Sequence, residues 1–233
     1  MANVLMIMSA ADHWTLKDGS EHPTGFWAEE FVAPYEVFTD AGWSVTVATP
    51  GGRAPTVDQA SLGEGAGDPE TLDKVKASLD RLAPVLNSPS DLASVDHNEF
   101  DVVFYPGGHG PLQDLAVDKT SGAILAERVT AEKPLAMLCH APAAVLAASE
   151  DASSSPFAGY KMTGFSNVEE EQVGLAENAP WLLEDKLVEL GADYSSAAEP
   201  WGSHVVVDRN LYTGQNPQSS EELAKRIVSD LGA

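Results

Sequence analysis

Short apolar runs alternate with amphipathic helical patterns along this chain, and no other feature constrains its fold as strongly. The apolar runs, which predict strands, cover residues 4–8, 44–48, 100–105 and 135–138. The helical patterns cover residues 26–41, 69–86, 122–131 and 141–148. Strands that alternate with helices are typical of a mostly parallel sheet with helices on both faces. We therefore predict an α/β fold built as a three-layer sandwich.

One long polar segment interrupts this alternation. Residues 53–98 are rich in glycine, proline and aspartate, with a single amphipathic stretch at 69–86. The chain has 233 residues, 43% of them hydrophobic, which is enough for one substantial core. We predict a single domain over residues 1–233 with an insert or cap at about 53–98. Because a long polar segment can cover the edge of a sheet, we expect this insert to set substrate preference.

The charge balance argues against two classes of partner. The chain has 36 aspartates and glutamates against 13 lysines and arginines, a formal net charge of −23. Such a charge repels nucleic-acid phosphates and anionic membrane surfaces, so we expect neither as a partner. The carboxylates are spread over the whole chain. This is typical of a halophilic surface adapted to high salt, although ordinary solubility explains it as well.

Two absences in the sequence bear on where the protein works. No apolar run reaches the length of a membrane span, and no basic leader precedes the run at residues 4–8. The single cysteine, Cys139, can form neither an intramolecular disulfide nor a multi-cysteine zinc site. We therefore expect a cytoplasmic protein in a reducing environment, in which Cys139 acts as a thiol or thiolate.

Cys139 lies where a strand, a sharp turn and a helix follow one another. His140 comes next, and Pro142 suits the first turn of the helix at 141–148. At such an elbow a cysteine sits at a helix N-terminus, where unpaired N–H groups and the helix dipole are expected to lower its pKa. A buried structural cysteine is the alternative. We favour a nucleophile, because the only cysteine falls on the elbow and precedes a histidine.

A glycine-rich turn at residues 107–110 follows another predicted strand. Glycines there allow backbone N–H groups to approach a ligand closely, and the carboxyl ends of parallel strands lie on the same edge of a sheet. The N–H groups of Gly108 and His140 are therefore predicted to bind a developing oxyanion together. A simple glycine turn is the alternative.

These motifs together resemble the PfpI superfamily. Besides Cys139-His140 and the Gly-Gly-His-Gly turn, the matching motifs are residues 25–30, 163–170, 200–201 and 213–217. Within the superfamily the chain is most similar to the glutathione-independent glyoxalases (glyoxalase III, or D-lactate dehydratase), which are also described as holding chaperones. The resemblance implies a flavodoxin-like sandwich that forms a homodimer.

The resemblance also implies a role for each residue of the site. Cys139 is the nucleophile, His140 is its paired base, Glu170 orients the histidine, and Glu30 is a carboxylate beside the thiol. A carboxylate behind an imidazole fixes the tautomer and supports the imidazolium. A buried carboxylic acid beside sulfur has a raised pKa and can move a proton.

Neighbouring glutamates leave the register of two assignments open. Glu169 and Glu171 are alternatives to Glu170, and Glu29 is an alternative to Glu30. In a chain with this many carboxylates, a pair of glutamates is more often a solvated surface. Position alone therefore supports these assignments.

The sequence does not predict a metal site or a cofactor. His109 and His22 are possible ligands, but neither has a histidine or cysteine partner at ligand spacing, so we expect surface or pocket-lining roles for both. Trp201 either lines the pocket or fills the core.

The implied reaction converts methylglyoxal to D-lactate, and glyoxal to glycolate, through a hemithioacetal on Cys139. The substrate is then a small 2-oxoaldehyde, and neither glutathione, metal nor nucleotide takes part. Two other classes remain open. One is a cysteine peptidase, amidase or protein deglycase, because the same residues support hydrolysis. The other is a holding chaperone, for which the sequence shows no clear apolar patch.

Overall fold

Eleven strands are formed by the part of the chain that the computed structural model describes, residues 2–149, 151 and 153–232. In chain order they are β1 (Asn3–Ile7), β2 (His13–Thr15), β3 (Glu21–Pro23), β4 (Ser44–Thr49), β5 (Ser90–Asp91), β6 (Val102–Tyr105), β7 (Leu135–Leu138), β8 (Lys161–Met162), β9 (Asp193–Tyr194), β10 (Val205–Asp208) and β11 (Leu211–Gly214).

Seven of these strands form the central sheet, in the order β10-β11-β7-β6-β1-β4-β5. All neighbours in it are parallel except β10 and β11. The other four strands form two small pairs, β2 with β3 and β8 with β9. The predicted α/β class with a mostly parallel sheet is confirmed.

The helices cover both faces of this sheet. The α-helices are α1 (Ala28–Asp40), α2 (Pro69–Leu86), α3 (Gly110–Gln113), α4 (Lys119–Thr130), α5 (Asn167–Gln172), α6 (Leu183–Glu189) and α7 (Ser220–Leu231). A longer 3-10 helix spans Ala141–Ala148. Helix α1 packs against α7 and α2, while the 3-10 helix packs against α4 and α6.

Burial explains why the central strands read as continuous apolar runs. Every residue of β6 and β7 is buried, and so is β1 from its second residue onward. A parallel strand with helices on both faces has no solvent side, so alternation of polar and apolar residues disappears. The register pairs Tyr105 with Met137. The carboxyl ends of β6 and β7 therefore lie side by side, which brings the glycine-rich turn next to Cys139.

The polar segment at 53–98 is partly built into the sheet. Its strand β5 extends the sheet beyond β4, and its helix α2 packs against α1. The helix predicted over 69–86 has those bounds, with Asp68 as the N-cap whose side chain accepts a bond from the Thr71 N–H.

Several predicted elements differ from those observed, most of them only at their ends. The strand predicted over 100–105 begins at Val102, and the helix over 141–148 has 3-10 geometry. The short strand β8 just before the motif at 163–170 pairs with β9 outside the central sheet. It ends at Met162, and the Thr163 N–H donates to the Thr213 hydroxyl instead of to a neighbouring strand's backbone.

No helix in the described residues is both long enough and apolar enough to cross a membrane.

Candidate active site

Cys139 sits directly after β7 in a left-handed backbone conformation, with φ of 58°. Its N–H donates to the Gly214 carbonyl at 2.9 Å, and its carbonyl accepts from the Phe165 N–H at 2.9 Å. These two bonds hold a conformation that a residue with a Cβ rarely adopts. The side chain is turned inward and the residue is only 3% exposed. The predicted sharp elbow at this cysteine is therefore present.

His140 joins the thiol to a carboxylate. Its Nδ1 lies 3.2 Å from the Cys139 Sγ, and its Nε2 lies 2.8 Å from the Glu170 Oε2. Because an ionised carboxylate only accepts hydrogen bonds, the Nε2 carries the proton and the neutral ring presents the Nδ1 lone pair to the thiol. The ring is therefore oriented as a base for Cys139. Burial, followed by the positive charge of His109, lowers the pKa of His140 to about 4.

Glu170 is the glutamate that contacts the histidine. It lies in the first turn of α5 and is buried, whereas Glu171 is exposed. Burial raises the pKa of this carboxyl, but the charges and N–H groups of His140 and His109 outweigh burial and hold it well below its usual range. Glu170 is therefore ionised throughout the neutral range.

His109 occupies the other oxygen of the same carboxylate. Its Nε2 lies 2.9 Å from the Glu170 Oε1, and its ring centroid is 4.0 Å from that of His140. The sequence predicted a surface or pocket-lining role, but the side chain is buried and bonded to Glu170. Spacing along the chain could not show this partnership, because the two histidines follow different strands. His22 is half-buried, and its ring stands edge-on to His109 at 6.4 Å.

Glu30 is completely buried beside the thiol. A Cβ added to Gly107 would lie 2.5 Å from the Glu30 Oε2 and 2.8 Å from the Cys139 Cβ, so these side chains close around the glycine. Neither carboxyl oxygen of Glu30 has a well-aligned hydrogen-bond partner among the described residues. Burial raises the pKa of Glu30 to about 8, although the Cys139 thiol and the Gly107 backbone act against it. At neutral pH Glu30 is thus mostly a neutral acid.

The pKa of Cys139 is raised, and the prediction that the elbow lowers it is wrong. Burial is the largest cause, and the adjacent Glu30 carboxyl adds to it. The Gly108 N–H, which faces the sulfur, acts in the opposite direction but is outweighed. The resting site therefore holds a thiol, and a thiolate forms only when His140 takes the proton.

The glycine-rich turn fits closely against the segment before α1. Gly108 has φ of 96°, and a Cβ there would lie 2.5 Å from both the Gly25 carbonyl oxygen and the Trp27 nitrogen. No other residue type fits at this position without displacement. Within the described chain, the N–H groups of Gly108 and His140 make no backbone hydrogen bond. Their joint role as an oxyanion hole stays a prediction.

The polar segment at 53–98 supports the same wall of the site. The Phe26 N–H donates to the Thr56 carbonyl at 2.8 Å, and the Thr24 hydroxyl donates to the Asp58 carboxylate at 2.6 Å. The Ser61 hydroxyl accepts from the Ala28 N–H at 3.1 Å. Residues 24–28 are therefore held between this segment and the glycine-rich turn.

Glu169 is a buried carboxylate that sequence reasoning did not identify as a structural centre. Its Oε2 accepts from the N–H and hydroxyl of Ser166 and from the Gln215 amide, and its Oε1 accepts from the Trp201 N–H and the Asn216 amide. It thereby ties together three loops around the site. Trp201 itself is half-buried and packs on Phe165, whose ring lies 4.3 Å from that of His140. Trp201 thus belongs to the layer behind the histidine.

His109, His140 and Glu170 also form a group whose ligand atoms lie within 4.8 Å of one another, close enough to hold a metal ion. The same atoms are already joined by the two hydrogen bonds at 2.9 and 2.8 Å. An ion bound there would replace both Nε2 protons and would occupy the nitrogen that holds His140 to its carboxylate.

The chain is similar to known proteins over nearly its whole length. It is 28% identical over 236 residues to "Glyoxalase 3" of Candida albicans, covering 98% of each chain. It is 28% identical over 239 residues to "Protein/nucleic acid deglycase HchA" of Staphylococcus aureus, covering 98% of this chain and 79% of that one.

Solved structures agree over the full length. The Rapid Encystment Protein 24 kDa of Francisella tularensis superposes with a TM-score of 0.85 at 31% identity, with 99% of each chain covered. Glyoxalase III of Candida albicans superposes with a TM-score of 0.83 at 23% identity, covering 98% of this chain and 96% of that one, and supports the fold. Residues 23–230 match the DJ-1/PfpI family, and the chain belongs to that family.

Proposed function

We propose that this protein is a glutathione-independent glyoxalase that converts methylglyoxal to D-lactate, and glyoxal to glycolate, through a covalent intermediate on Cys139. The observation that carries the proposal is the buried set of Cys139, His140 and Glu170, with the neutral acid Glu30 beside the sulfur. The relative named "Glyoxalase 3" supports the same reaction class.

The first step is proton transfer within the Cys139–His140 pair. The thiol gives its proton to the Nδ1 of His140 as the sulfur adds to the aldehyde carbon, C1. The ionised Glu170 stabilises the imidazolium that forms. The new oxyanion on C1 receives that proton from His140, which leaves a neutral hemithioacetal and a neutral imidazole. Backbone N–H groups of Gly108 and His140 are the donors that we propose for the oxyanion.

The second step moves hydrogen from C1 to C2. Neutral His140 removes the proton from C1 while Glu30 protonates the C2 oxygen, which gives an enediol. His140 then returns its proton to C2, and Glu30 recovers a proton from the C1 hydroxyl. Both groups end in their starting states, and C1 has become a thioester carbon. Water hydrolyses this thioester, releasing lactate and the free thiol.

The surroundings of the thiol favour a small, uncharged carbonyl compound. Cys139 is 3% exposed, and His140 and Glu30 are buried more deeply still. No lysine or arginine in the described residues forms an ion pair or hydrogen bond with these three groups or with Glu170. Phosphorylated or carboxylated aldehydes would therefore lack a counter-charge.

Deglycation of proteins is the second candidate, because relatives named "Protein/nucleic acid deglycase HchA" match 98% of the chain. A deglycase must admit an adduct carried on a lysine or arginine of another chain. The low exposure of the Cys139 sulfur favours free aldehydes over such adducts and over the peptide bonds that a peptidase would cleave.

The direct test is to incubate the protein with methylglyoxal alone and to measure lactate with enzymes specific for each enantiomer. We expect D-lactate from the wild type and none from Cys139→Ser. Parallel samples test glycated protein, casein and heat-induced aggregation of a client protein. Absence of lactate together with release of lysine from glycated protein would overturn the glyoxalase proposal in favour of the deglycase.

The proposal includes a homodimer that works in the cytoplasm. The single cysteine supports a reducing compartment, because the thiol must stay reduced to act. Size-exclusion chromatography with light scattering measures the mass in solution, and a monomer would contradict the dimer without affecting the chemistry.

A further inference from the structure

The carboxylate of Glu170 binds two imidazole rings. His140 bonds one oxygen at 2.8 Å and His109 bonds the other at 2.9 Å. The two rings lie 4.0 Å apart at an angle of 36°. The reaction proposed above uses only His140, so the presence of a second buried imidazole on the same carboxylate requires its own explanation.

Proton accounting shows how the two histidines depend on each other. Glu170 is ionised and can only accept, so each ring donates an Nε2 proton to it. In the neutral state each ring therefore has a free Nδ1 lone pair, which in His140 faces the Cys139 sulfur. One carboxylate supplies one negative charge. Two imidazolium rings at this separation would repel each other with only that single counter-charge between them.

We propose that His109 is a positioning residue of the site: it anchors Glu170 toward His140, and any positive charge on its ring opposes transfer of the thiol proton to His140. The inference rests on the proposed roles of Cys139 and His140.

His109 is buried, and aromatic and charged groups pack around it. Glu170 and His140 face it from the protein interior, with the rings of Trp14 and Phe165 at 5.7 and 6.1 Å. On the remaining side stands His22 of β3, half-buried, with its ring at 6.4 Å. Other charged groups that act on this cluster or on the thiol are Asp58, Glu169 and Glu30.

The charge effect has a definite direction. The positive charge of His109 is the second cause, after burial, of the lowered pKa of His140. If that charge is removed while the hydrogen bond to Glu170 is kept, the pKa of His140 rises. His140 then accepts the thiol proton at lower pH, and the sulfur becomes reactive in more acidic solution.

The experiment uses the single cysteine as its own reporter. Alkylation by iodoacetamide is followed by intact mass between about pH 5 and pH 9, where thiolate content sets the rate. His109→Gln places an amide N–H near the position of Nε2 but carries no charge. His109→Asn is similar but too short to reach Glu170, and His109→Phe keeps the ring without a donor. The control is His97→Gln, because His97 is another buried histidine bonded to a glutamate, Glu127, at 3.0 Å.

For each protein, the alkylation rate near pH 5 is divided by its rate at alkaline pH. We expect this ratio to be at least about tenfold higher in His109→Gln than in the wild type, which corresponds to a shift of the profile by about one pH unit. Its kcat/KM for methylglyoxal should stay within about threefold of the wild type near pH 8. His109→Asn and His109→Phe should show the same acid shift but lose about tenfold or more in kcat/KM, because one oxygen of Glu170 loses its donor. His97→Gln should match the wild type in both measurements.

If folded His109→Gln had the same pH profile of alkylation as the wild type, the charge effect would be overturned. Circular dichroism shows which of His109→Asn and His109→Phe are folded. If a folded one had the same kcat/KM as His109→Gln, the positioning role would be overturned. The alkylation profile does not depend on turnover, so the inference fails or holds separately from the proposed glyoxalase reaction. If no turnover is found, the pH profile of alkylation still decides the charge effect.

Discussion

Replacing Glu30 by glutamine should strongly lower the activity and, at neutral pH, stabilise the protein. The amide keeps the shape of the side chain but cannot deliver a proton to the C2 oxygen, so we expect a loss of roughly a hundredfold or more in kcat. Cys139 can still add to the aldehyde, so a hemithioacetal on the enzyme should be detectable by mass. The effect on stability follows from the burial of the carboxyl.

The magnitude follows from the pKa of Glu30, which burial raises from 4.5 to about 8. Because the folded value lies above the unfolded one, the protonated carboxyl contributes stability that is complete below about pH 4.5 and is lost as the pH rises toward about 8. Each pH unit in this window lowers the free energy of unfolding of the wild type by about 1.4 kcal/mol. Between about pH 5 and pH 7.5 the wild type should therefore lose about 3 kcal/mol of unfolding free energy relative to a variant whose residue 30 does not titrate.

Urea unfolding at these two pH values measures the difference directly. The free energy of unfolding of Glu30→Gln minus that of the wild type should increase by about 3 kcal/mol from the lower to the higher pH. Glu171→Gln, on an exposed neighbour of the site, serves as the control and should show no such increase. If the difference for Glu30→Gln stayed constant within about 0.5 kcal/mol, Glu30 would not be a neutral acid in the folded protein, and the proton transfer assigned to it would have to be abandoned.

Three other substitutions test the site. Cys139→Ala should abolish lactate formation while circular dichroism and the melting temperature stay near those of the wild type, and an active, destabilised variant would instead indicate a structural cysteine. Glu170→Gln should shift the pH–rate profile and leave residual turnover, since His140 keeps an acceptor but loses its counter-charge; an unchanged profile would contradict the assignment. Gly108→Ala should lower the free energy of unfolding by about 3 kcal/mol or more, because φ is 96° and the Cβ would overlap two backbone groups. Gly65→Ala, where nothing lies within 4 Å, is its control, and equal effects would refute the steric argument.

Elements with a strong pattern of their own could be predicted from the sequence. The strand at 135–138 and the helix at 69–86 have the predicted bounds, because one is buried on all sides and the other has a clear apolar stripe and a capping aspartate. The position of Cys139 at an elbow followed from the same reasoning. Such elements are determined locally, and tertiary contacts only confirm them.

Elements without such a pattern were not predicted. Strand β5 has two polar residues, and β10 has only three valines before an aspartate, so neither offers an apolar run of strand length or clean alternation. These strands form because the sheet offers their backbone groups partners at its two edges. Their existence therefore depends on residues distant in the chain.

The pKa of Cys139 shows the same limit in electrostatic form. Its position at the elbow argued for a lowered value through the helix N-terminus, and the Gly108 N–H does act in that direction. Burial and the carboxyl of Glu30 outweigh it, and both depend on how α1 packs over the end of β7. A local motif shows where a nucleophile lies, whereas its protonation depends on the groups that the fold brings around it.

The adjacent glutamates of α5 show that some of the missing information was present in the sequence. Ser166 and Glu169 have the serine-to-glutamate spacing of a capping box, and the structure contains both of its hydrogen bonds. This pattern commits Glu169 to the start of the helix. Consecutive helical residues point about 100° apart, so the following glutamate must face a different direction. Glu170 was therefore the one of the buried pair left free to face His140, and its place in the first turn of a helix also favours the negative charge that it presents to the histidine.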